Sequence, residues 1–344
     1  MVWVRRSFFG SLWDGVITVL IVYVLAGVGI NAIRWLFVDS VWGAHNAQLC
    51  GDSGACWSVI ADRYRLIFFG LYPHDEQWRS AIACVVVIVM VVLSCLPKFF
   101  DIRRLAFIWG VGFALYVLLM RGGLFGLQYV PTDRWGGLAL TLYIYAAVIL
   151  IGMPLAIALA LARRTRLPAI RMTIAAIVDM IRSLPLLTIL FTFSLIIPFV
   201  LPSWAQGDKL HRVILGFAFF FACYQSESIR GGLQAIPHGQ DEVARALGLT
   251  PFQRLRLVIL PQAFRNSMPM TINQFIVTFK ETSIIVIVGL FEFMASAGAA
   301  YQVAEWSPYF KEVLVFIALI YFCFAFSLSL YGRFLEHRMR VGAD

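Results

Sequence analysis

Long uncharged apolar runs constrain this chain more than any other feature of its sequence. Crossing the hydrocarbon core of a bilayer, about 30 Å thick, takes about 20 helical residues, with a range near 17–25. Open strands do not span hydrocarbon, because every unpaired backbone group there is costly. The runs therefore predict membrane-spanning helices at 15–33, 80–97, 105–120, 135–162, 183–207 and 313–332.

The composition agrees with this interpretation. Of the 344 residues, 61% are hydrophobic and 14% are charged, against about 45–50% apolar and about 25% charged in soluble domains. This excludes an ordinary globular enzyme, a disordered chain and a small disulfide-stapled secreted module. Two weaker segments, 213–229 and 268–290, carry polar groups inside apolar stretches. With them, we expect an all-α integral membrane protein of about eight transmembrane helices.

Basic residues are distributed unevenly among the connecting segments. If the N-terminus is cytoplasmic, the segments on its side hold 17 Lys or Arg and 6 acidic residues, whereas the opposite segments hold 9 and 10. The positive-inside rule then predicts that both termini are cytoplasmic. The cytoplasmic segments are 1–14, 98–104, 162–171, 230–266 and 332–344, and the opposite ones are 34–79, 121–134, 201–212 and 291–312. The net charge of +9 follows this topology and gives no reason to expect nucleic-acid binding.

Two cysteines, Cys50 and Cys56, lie close together in the outer segment 34–79. In an oxidising compartment they could form a small disulfide loop, and two free thiols are the equal alternative. A zinc site is disfavoured, because His45 and His74 have no ligand-like spacing to the pair. No other metal-ligand or catalytic cluster of residues emerges from the sequence.

The most informative segment is 230–266. Asp241 and Glu242 favour the start of a short helix through the helix dipole, and Gly248 suits its left-handed C-terminal cap. A second short helix is predicted next. Thr250 suits its N-cap, Pro251 suits its first position, and Pro261 is expected to end it. Ala244 is small enough for another protein to approach closely. An ordered linker between two membrane helices is the alternative.

The spacing in this segment resembles the EAA loop of ABC importer permeases. That pattern is E-A-A, three residues, Gly, nine residues, Ile, one residue and Leu-Pro. The matching residues are Glu242, Ala244, Gly248, Leu260 and Pro261. Val243 replaces the middle Ala and Val258 replaces Ile. The flanking motifs that resemble the polar amino-acid uptake family begin at Arg182, Glu227 and Lys280.

The resemblance implies a type I ABC importer permease core of five helices at 135–332, with coupling loop 230–266. The three N-terminal helices in 1–134 resemble the M-type permease subunit of a general L-amino-acid importer, and 333–344 is a cytoplasmic tail. The implied location is a bacterial inner membrane. The implied partners are membrane lipid, ATP-binding cassette ATPase subunits, a second related permease in a heterodimer, a periplasmic amino-acid-binding protein and an L-amino acid substrate.

The resemblance also implies that this chain performs no covalent chemistry. It contains no Gly-x-x-x-x-Gly-Lys-Ser/Thr phosphate loop and no Gly-Lys dipeptide. We therefore expect no catalytic residue, metal or cofactor on this chain, with ATP and Mg bound by the partner ATPase. A secondary transporter, with coupling carboxylates and broken helices, is the alternative function. A membrane-embedded enzyme is a further alternative, but it would need a catalytic cluster.

Charged residues inside membrane segments are expensive and often functional. Lys280 and Glu281 lie near the middle of 268–290 and point about 100° apart on a helix, so they need other partners. We expect Lys280, Glu281 and Thr282 to line a translocation pathway, and an inter-subunit network is the alternative. Structural pairs are expected for Asp179 with Arg182 and for Glu227 with Arg230, each three residues apart.

Overall fold

The computed structural model describes residues 8–43, 47, 50, 54–99, 101–237 and 239–341, without the side chains of 337–341. Throughout this part of the chain the regular structure is helical, with two isolated β-bridges and no strand. The predicted all-α fold is confirmed. The described residues form two compact units. One comes from 1–64 and 298–316, and the other from 65–297 and 317–344.

Fourteen α-helices are described in these ranges, several of them separated by π-helical or 3₁₀ turns. In chain order they are α1 Leu12–Ile33, α2 Ser58–Phe69, α3 Gln77–Cys95, α4 Ile102–Arg121, α5 Gly137–Ala162, α6 Pro168–Ser183, α7 Leu186–Phe191, α8 Ile197–Val200, α9 Lys209–Gln234, α10 Gly239–Ala246, α11 Pro251–Arg254, α12 Leu260–Glu281, α13 Phe293–Tyr301 and α14 Phe310–Val341.

Six helical segments are long and apolar enough to cross a membrane: Leu12–Val38, His74–Cys95, Ile102–Arg121, Gly137–Ala162, Pro251–Val288 and Ser307–Glu336. A seventh candidate is a bent pair. The expected eighth helix exists as α9, but the polar residues from Gln225 to Arg230 lower its mean hydropathy, and it is not among these candidates. The count of eight therefore stays a prediction.

The bent pair replaces the single run predicted at 183–207. Pro168–Ser183 is an amphipathic helix of its own, and the chain turns by 106° into Leu186–Val200. Pro185 lies at the break, where it removes a backbone donor and holds the preceding residue extended. Beyond the break, a π-helical turn at Thr192–Ile196 interrupts the second arm.

The core of the second unit is built around α9, which packs against α5 and α12. Their contacts combine small residues with one buried polar bridge. The Gln225 side-chain amide on α9 donates to Thr271 Oγ1 on α12 at 2.7 Å. Where α9 crosses α12, a Cβ at Gly232 would overlap the Ala263 carbonyl oxygen and lie 3.0 Å from Ser267 Cβ. Glycine at this crossing therefore sets how closely the two helices approach.

A buried arginine closes the hairpin of α3 and α4. Arg79 is fully buried, and its Nε donates to the carbonyl of Leu119 at 2.7 Å, in the last turn of α4. Its Nη1 donates to the Gln128 carbonyl at 3.0 Å and to the Glu76 carboxylate at 3.1 Å. The bond to Leu119 satisfies a carbonyl that the end of α4 leaves without a helical partner, and the bond to Gln128 joins the segment that follows α4. α3 also packs on α5, and the division of the chain near residue 135 stays a prediction.

The first unit contains a disulfide between Cys50 and Cys56, with Cα atoms 5.7 Å apart. Residues from the start of α14 hold this loop. The Cys56 backbone N–H donates to Glu312 at 3.1 Å, and the Tyr309 hydroxyl donates to the Cys50 carbonyl at 2.9 Å. Trp306 Nε1 donates to Asp62 at 3.0 Å. The sequence leaves a disulfide and two free thiols as alternatives, and the structure describes the disulfide.

The glycine at the crossing of α9 and α12 gives a stability test with a control in the adjacent position. We expect Gly232→Ala to destabilise the protein by about 1–3 kcal/mol, the usual cost of overpacking. Gly231→Ala meets open space and should stabilise α9 by about 0.5–1 kcal/mol. The apparent Tm of the detergent-purified protein measures both changes, and equal shifts would contradict this account of the crossing.

Candidate functional site

The loop that matches the EAA pattern begins with α10, and Gly248 ends that helix. Gly248 has φ +77°, in the left-handed region. The backbone N–H groups of Gly248 and Leu249 donate to the carbonyls of Arg245 at 2.9 Å and Ala244 at 3.2 Å. This pair of bonds is the Schellman arrangement, which satisfies carbonyls at a helix end. Glycine occupies the position because a Cβ is disfavoured at that backbone angle.

A capping box starts the next helix. Thr250 Oγ1 accepts from the Gln253 backbone N–H at 3.3 Å, and the Gln253 side chain accepts from the Thr250 N–H at 2.9 Å. Pro251 follows at the first helical position. The expectation that Pro261 ends this helix is wrong. A π-helical turn at Leu255–Ile259 leads directly into α12, and proline is tolerated in the first turn of α12 because no intrahelical N–H bond is needed there.

An ion pair ties α10 to α11. The Asp241 carboxylate accepts from Arg254 at 2.9 Å and lies 3.4 Å from Arg245. Glu242 is exposed instead, and makes no ion pair with any other residue that the structure describes. The two predicted acidic residues therefore differ in role: Asp241 holds the loop together, and Glu242 is available to a partner.

Apolar side chains are exposed on the same loop. Val243, Leu247, Phe252 and Leu257 have exposed fractions of 61–74%. Ala244, expected at the contact surface, is 3% exposed and lies on the inner side of α10. We call these four exposed apolar residues of the loop the coupling face. The capped, ion-paired backbone holds this face in a fixed shape.

Behind the loop, Glu227 on α9 is the centre of an ion-pair cluster. Its carboxylate accepts three hydrogen bonds from Arg230, at 2.7, 3.0 and 3.2 Å, and one from Arg163 at the end of α5. Arg182 Nη1 lies 3.8 Å from the same carboxylate, and Asp179 lies 3.5 Å from Arg163. The expected pair of Glu227 and Arg230 is present. Asp179 and Arg182 share a helix face as expected, but each pairs with a different element.

This cluster borders a polar cavity of about 600 Å³ beside the bend between α6 and α7. Its lining includes Arg182, Glu227 and Arg230, together with polar residues that the sequence argument did not single out. These are Tyr224, Ser228, Asn273 and Gln274. Asn273 and Gln274 are adjacent amides inside the apolar segment 268–290. Selecting charged residues in membrane segments does not find them, because amides carry no net charge. The cavity brings both signs of charge together with hydrogen-bonding groups.

The residues expected to line a pathway lie farther along α12. Lys280 is exposed, whereas Glu281 is half-buried and its Oε2 has no hydrogen-bond partner among the described residues. Thr282 is buried and its hydroxyl donates to the Phe279 carbonyl at 2.7 Å. Here the α-helix changes into a 3₁₀ turn over Thr282–Val288. None of the three lines the polar cavity, so the structure separates the two groups of charges.

Glu292 is a buried carboxylate that sequence reasoning missed. It accepts from the backbone N–H groups of Met294 and Ala295, both at 2.8 Å, at the start of α13. The Thr141 and Tyr321 hydroxyls complete its shell at 3.3 Å. Its position in a predicted outer loop hid this role. In the described ranges, no group of three or more His, Cys, Asp or Glu residues is placed to hold a metal ion.

A known protein family matches this chain. Residues 152–341 match the family described as binding-protein-dependent transport system inner membrane component. The chain belongs to this family. Its matched region contains the coupling face, the Glu227 cluster and the polar cavity. Neither a secondary transporter nor a membrane-embedded enzyme accounts for this match.

Relatives extend the likeness over the whole chain. The inner membrane amino-acid ABC transporter permease protein YhdY of Escherichia coli (strain K12) is 37% identical over 347 residues, covering 99% of this chain and 94% of the relative. The glutamate/glutamine/aspartate/asparagine transport system permease protein BztC of Rhodobacter capsulatus is 30% identical, covering 98% and 93%. A crystal structure of an amino acid ABC transporter with histidines matches at TM-score 0.52 and 29% identity, covering 59% of this chain and 92% of that one.

The Glu227 cluster predicts unequal roles for two carboxylates that share Arg163. Glu227→Gln leaves Arg163 and Arg230 without their common partner, and its side chain is only 14% exposed. We expect the free energy of unfolding to fall by nearly as much as breaking a buried ion pair costs, which is about 3–5 kcal/mol. Asp179→Asn, at a side chain 61% exposed, should cost at most about 1 kcal/mol. Thermal unfolding of the purified protein measures both, and a similar loss in the two variants would refute the cluster's role.

Proposed function

We propose that this chain is the translocating permease subunit of an ATP-driven amino-acid importer, and that a separate ATPase docks on its coupling face. The observation that carries the proposal is the fixed apolar surface on a loop at the EAA position of the family. Exposed apolar area of this kind gains stability when a partner covers it. The amino-acid cargo is proposed from the named relatives that match nearly the whole chain.

The helix that follows the coupling face supplies a mechanical connection. Residues Pro251–Val288 form one helical segment of 38 residues, which contains Asn273, Gln274 and the Lys280–Thr282 group. A displacement of α10 and α11 by an ATPase would therefore move the polar groups of α12. Rigid-body rocking of packed helices is a common form of such switching. In this way the opening and closing of the ATPase would alter access to the polar cavity.

The polar cavity supports an amino-acid cargo chemically. A zwitterion has one ammonium and one carboxylate group, and the lining presents the Glu227 carboxylate beside the guanidinium groups of Arg182 and Arg230. Asn273 and Gln274 add neutral donors and acceptors. We propose this cavity as the cytoplasmic end of the pathway, with Lys280, Glu281 and Thr282 farther toward the outer side. The unpartnered Glu281 oxygen suits a group that meets water or cargo in part of the cycle.

The proposed assembly contains a second related permease, two ATPase subunits that bind ATP and Mg, and a periplasmic amino-acid-binding protein. The family description supports the binding protein as a partner. We propose cytoplasmic N- and C-termini, because the segments richer in Lys and Arg would then be cytoplasmic. Loop 230–266 would lie among them, on the side where ATP is available.

The coupling proposal is tested by two glycines in nearly the same backbone conformation. Gly248 has φ +77° and Gly126 has φ +79°, and a Cβ meets open space at both. Because Asp tolerates this region, Gly248→Asp should still insert and fold. We expect it to lower uptake of radiolabelled amino acids by at least about tenfold, equivalent to about 1.4 kcal/mol of lost docking free energy.

Gly126→Asp, in the opposite segment, is the matched control and should transport normally. Glu242→Lys, which reverses an exposed charge on α10, should fail like Gly248→Asp. Co-purification of the ATPase with each variant provides the second measurement. Normal uptake and normal ATPase recovery with Gly248→Asp would refute the coupling assignment.

The pathway proposal predicts that charges at the end of α12 affect transport more than assembly. Lys280→Met keeps the apolar stem and removes the charge, so we expect an assembled complex, partly retained stimulated ATPase activity and sharply reduced accumulation. Glu281→Gln should change the preference between acidic and basic amino acids. Lys311→Met, the same change at the start of α14, is the control. Loss of the assembled complex in both α12 variants, with unchanged selectivity in any remaining fraction, would favour a structural network.

A further inference from the structure

An apolar groove lies in the second unit, away from the coupling face and the polar cavity. Its volume is about 440 Å³, within the about 300–1,000 Å³ typical of sites for small molecules. The floor is buried, with exposed fractions of 4% or less at Val87, Leu142, Ala146 and Phe279. One rim is open: the exposed fractions there are 42–53% at Ile88, Val92 and Leu96 on and just after α3.

The polar groups of the lining are largely satisfied within the protein. Trp109 Nε1 donates to Ser94 Oγ at 3.0 Å, the Ser327 hydroxyl donates to the Cys323 carbonyl at 2.7 Å, and the Tyr331 hydroxyl donates to the Cys95 carbonyl at 3.3 Å. The remaining lining is mainly aliphatic and aromatic carbon. Such a surface offers little to water or to an amino acid, and it favours a hydrocarbon ligand.

The open rim belongs to helices that cross the membrane. α3, α4, α5 and the span containing α14 all have the length and hydropathy of membrane-spanning segments, and each contributes lining residues. A groove on their surface therefore faces lipid tails. The ligand available there is a lipid acyl chain. On binding, it would exchange contacts with mobile neighbouring chains for contacts with the groove floor.

Basic residues lie close in sequence to one end of the groove lining. Lys98 follows Leu96 of the lining, Arg103 and Arg104 lie in the first turn of α4, and Arg333 lies two residues after Tyr331. We call Lys98, Arg103 and Arg104 the basic turn. The acidic residue of this turn, Asp101, is already used as the N-cap of α4, where it accepts from the backbone N–H groups of Arg103 and Arg104. The guanidinium group of Arg104 donates to the Lys98 carbonyl at 2.7 Å, which orders the turn.

We propose that this groove binds one acyl chain of an anionic phospholipid, whose phosphate meets the basic turn between α3 and α4. Tyr331 lies near the end of the predicted apolar run 313–332, where aromatic side chains commonly mark the membrane interface. The positive-inside distribution places the lipid in the cytoplasmic leaflet. Clusters of Lys and Arg at that surface attract anionic headgroups, so the basic turn selects the headgroup and the apolar floor holds the chain.

The lipid would also support α12 from outside. Phe279 forms part of the groove floor and packs against Tyr145 and Phe324, with ring centroids 5.3 Å from each. It lies three residues before Thr282, where the 3₁₀ turn that follows α12 begins. A lipid bound in the groove would thus pack against α12 close to the point where the backbone changes from α-helix to a 3₁₀ turn.

The test uses the assembled importer in membrane vesicles that contain phosphatidylglycerol with a photoreactive diazirine on one acyl chain. After illumination, peptide mapping should place the label on 87–96, 279 and 324–331. Val92→Trp should obstruct the groove and lower labelling there by about tenfold, the equivalent of about two methylene groups of lost contact. Val89→Trp, the same substitution on α3 at a residue outside the lining and 47% exposed, should label like the unmodified protein.

The headgroup is tested with phosphatidylcholine carrying the same diazirine chain. Phosphatidylglycerol should label the groove more strongly, and Lys98→Gln combined with Arg103→Gln should abolish that preference. Arg121→Gln, at the opposite end of α4, should preserve it. Equal labelling of the groove and of the fully lipid-accessible α1, unaffected by Val92→Trp, would reduce the proposal to ordinary annular lipid. Label transfer to a second permease in place of these segments would show that a protein covers the groove.

Discussion

Hydrocarbon offers no hydrogen bonds, so each backbone group in a membrane segment must find its partner inside the protein. This constraint explains why the chain is helical and why its departures from α-helix are confined to particular places. The break at Pro185, the π turns at 192–196 and 255–259 and the 3₁₀ turn at 282–288 all keep most backbone bonds local. Each lies beside a polar group or a change of helix direction.

The lack of hydrogen-bond partners in hydrocarbon also determines where a charged side chain is stable in this protein. Glu227 remains in the core because three arginines from three different elements surround its carboxylate. Glu292 remains because it accepts the free N–H groups at the start of α13. Glu281 has an oxygen without a described partner, and its surroundings resemble neither site. These buried and half-buried carboxylates therefore differ in whether other described residues satisfy them.

Sequence reasoning succeeded where one residue type acts over a long stretch or through local geometry. The apolar runs predicted most helices, and Gly248 and Thr250 indicated their caps. It failed where the outcome depends on distant partners. α6 was not among the predicted membrane helices, because Arg171, Asp179 and Arg182 interrupt its apolar pattern, although these charges lie on one part of an amphipathic helix. Pro261 was expected to end a helix because a π turn before it cannot be recognised from propensity. Asn273 and Gln274 gain meaning only beside Glu227.

The π turn at Leu255–Ile259 has a consequence for the angular relation between the coupling face and the rest of the helix. A π turn contains one more residue than an α turn, and each residue turns an α-helix by about 100°. The extra residue therefore sets which sides of α12 point in the same direction as Phe252 on α11. Removing one residue from this turn would rotate the side chains of α12 by about 100° relative to Phe252.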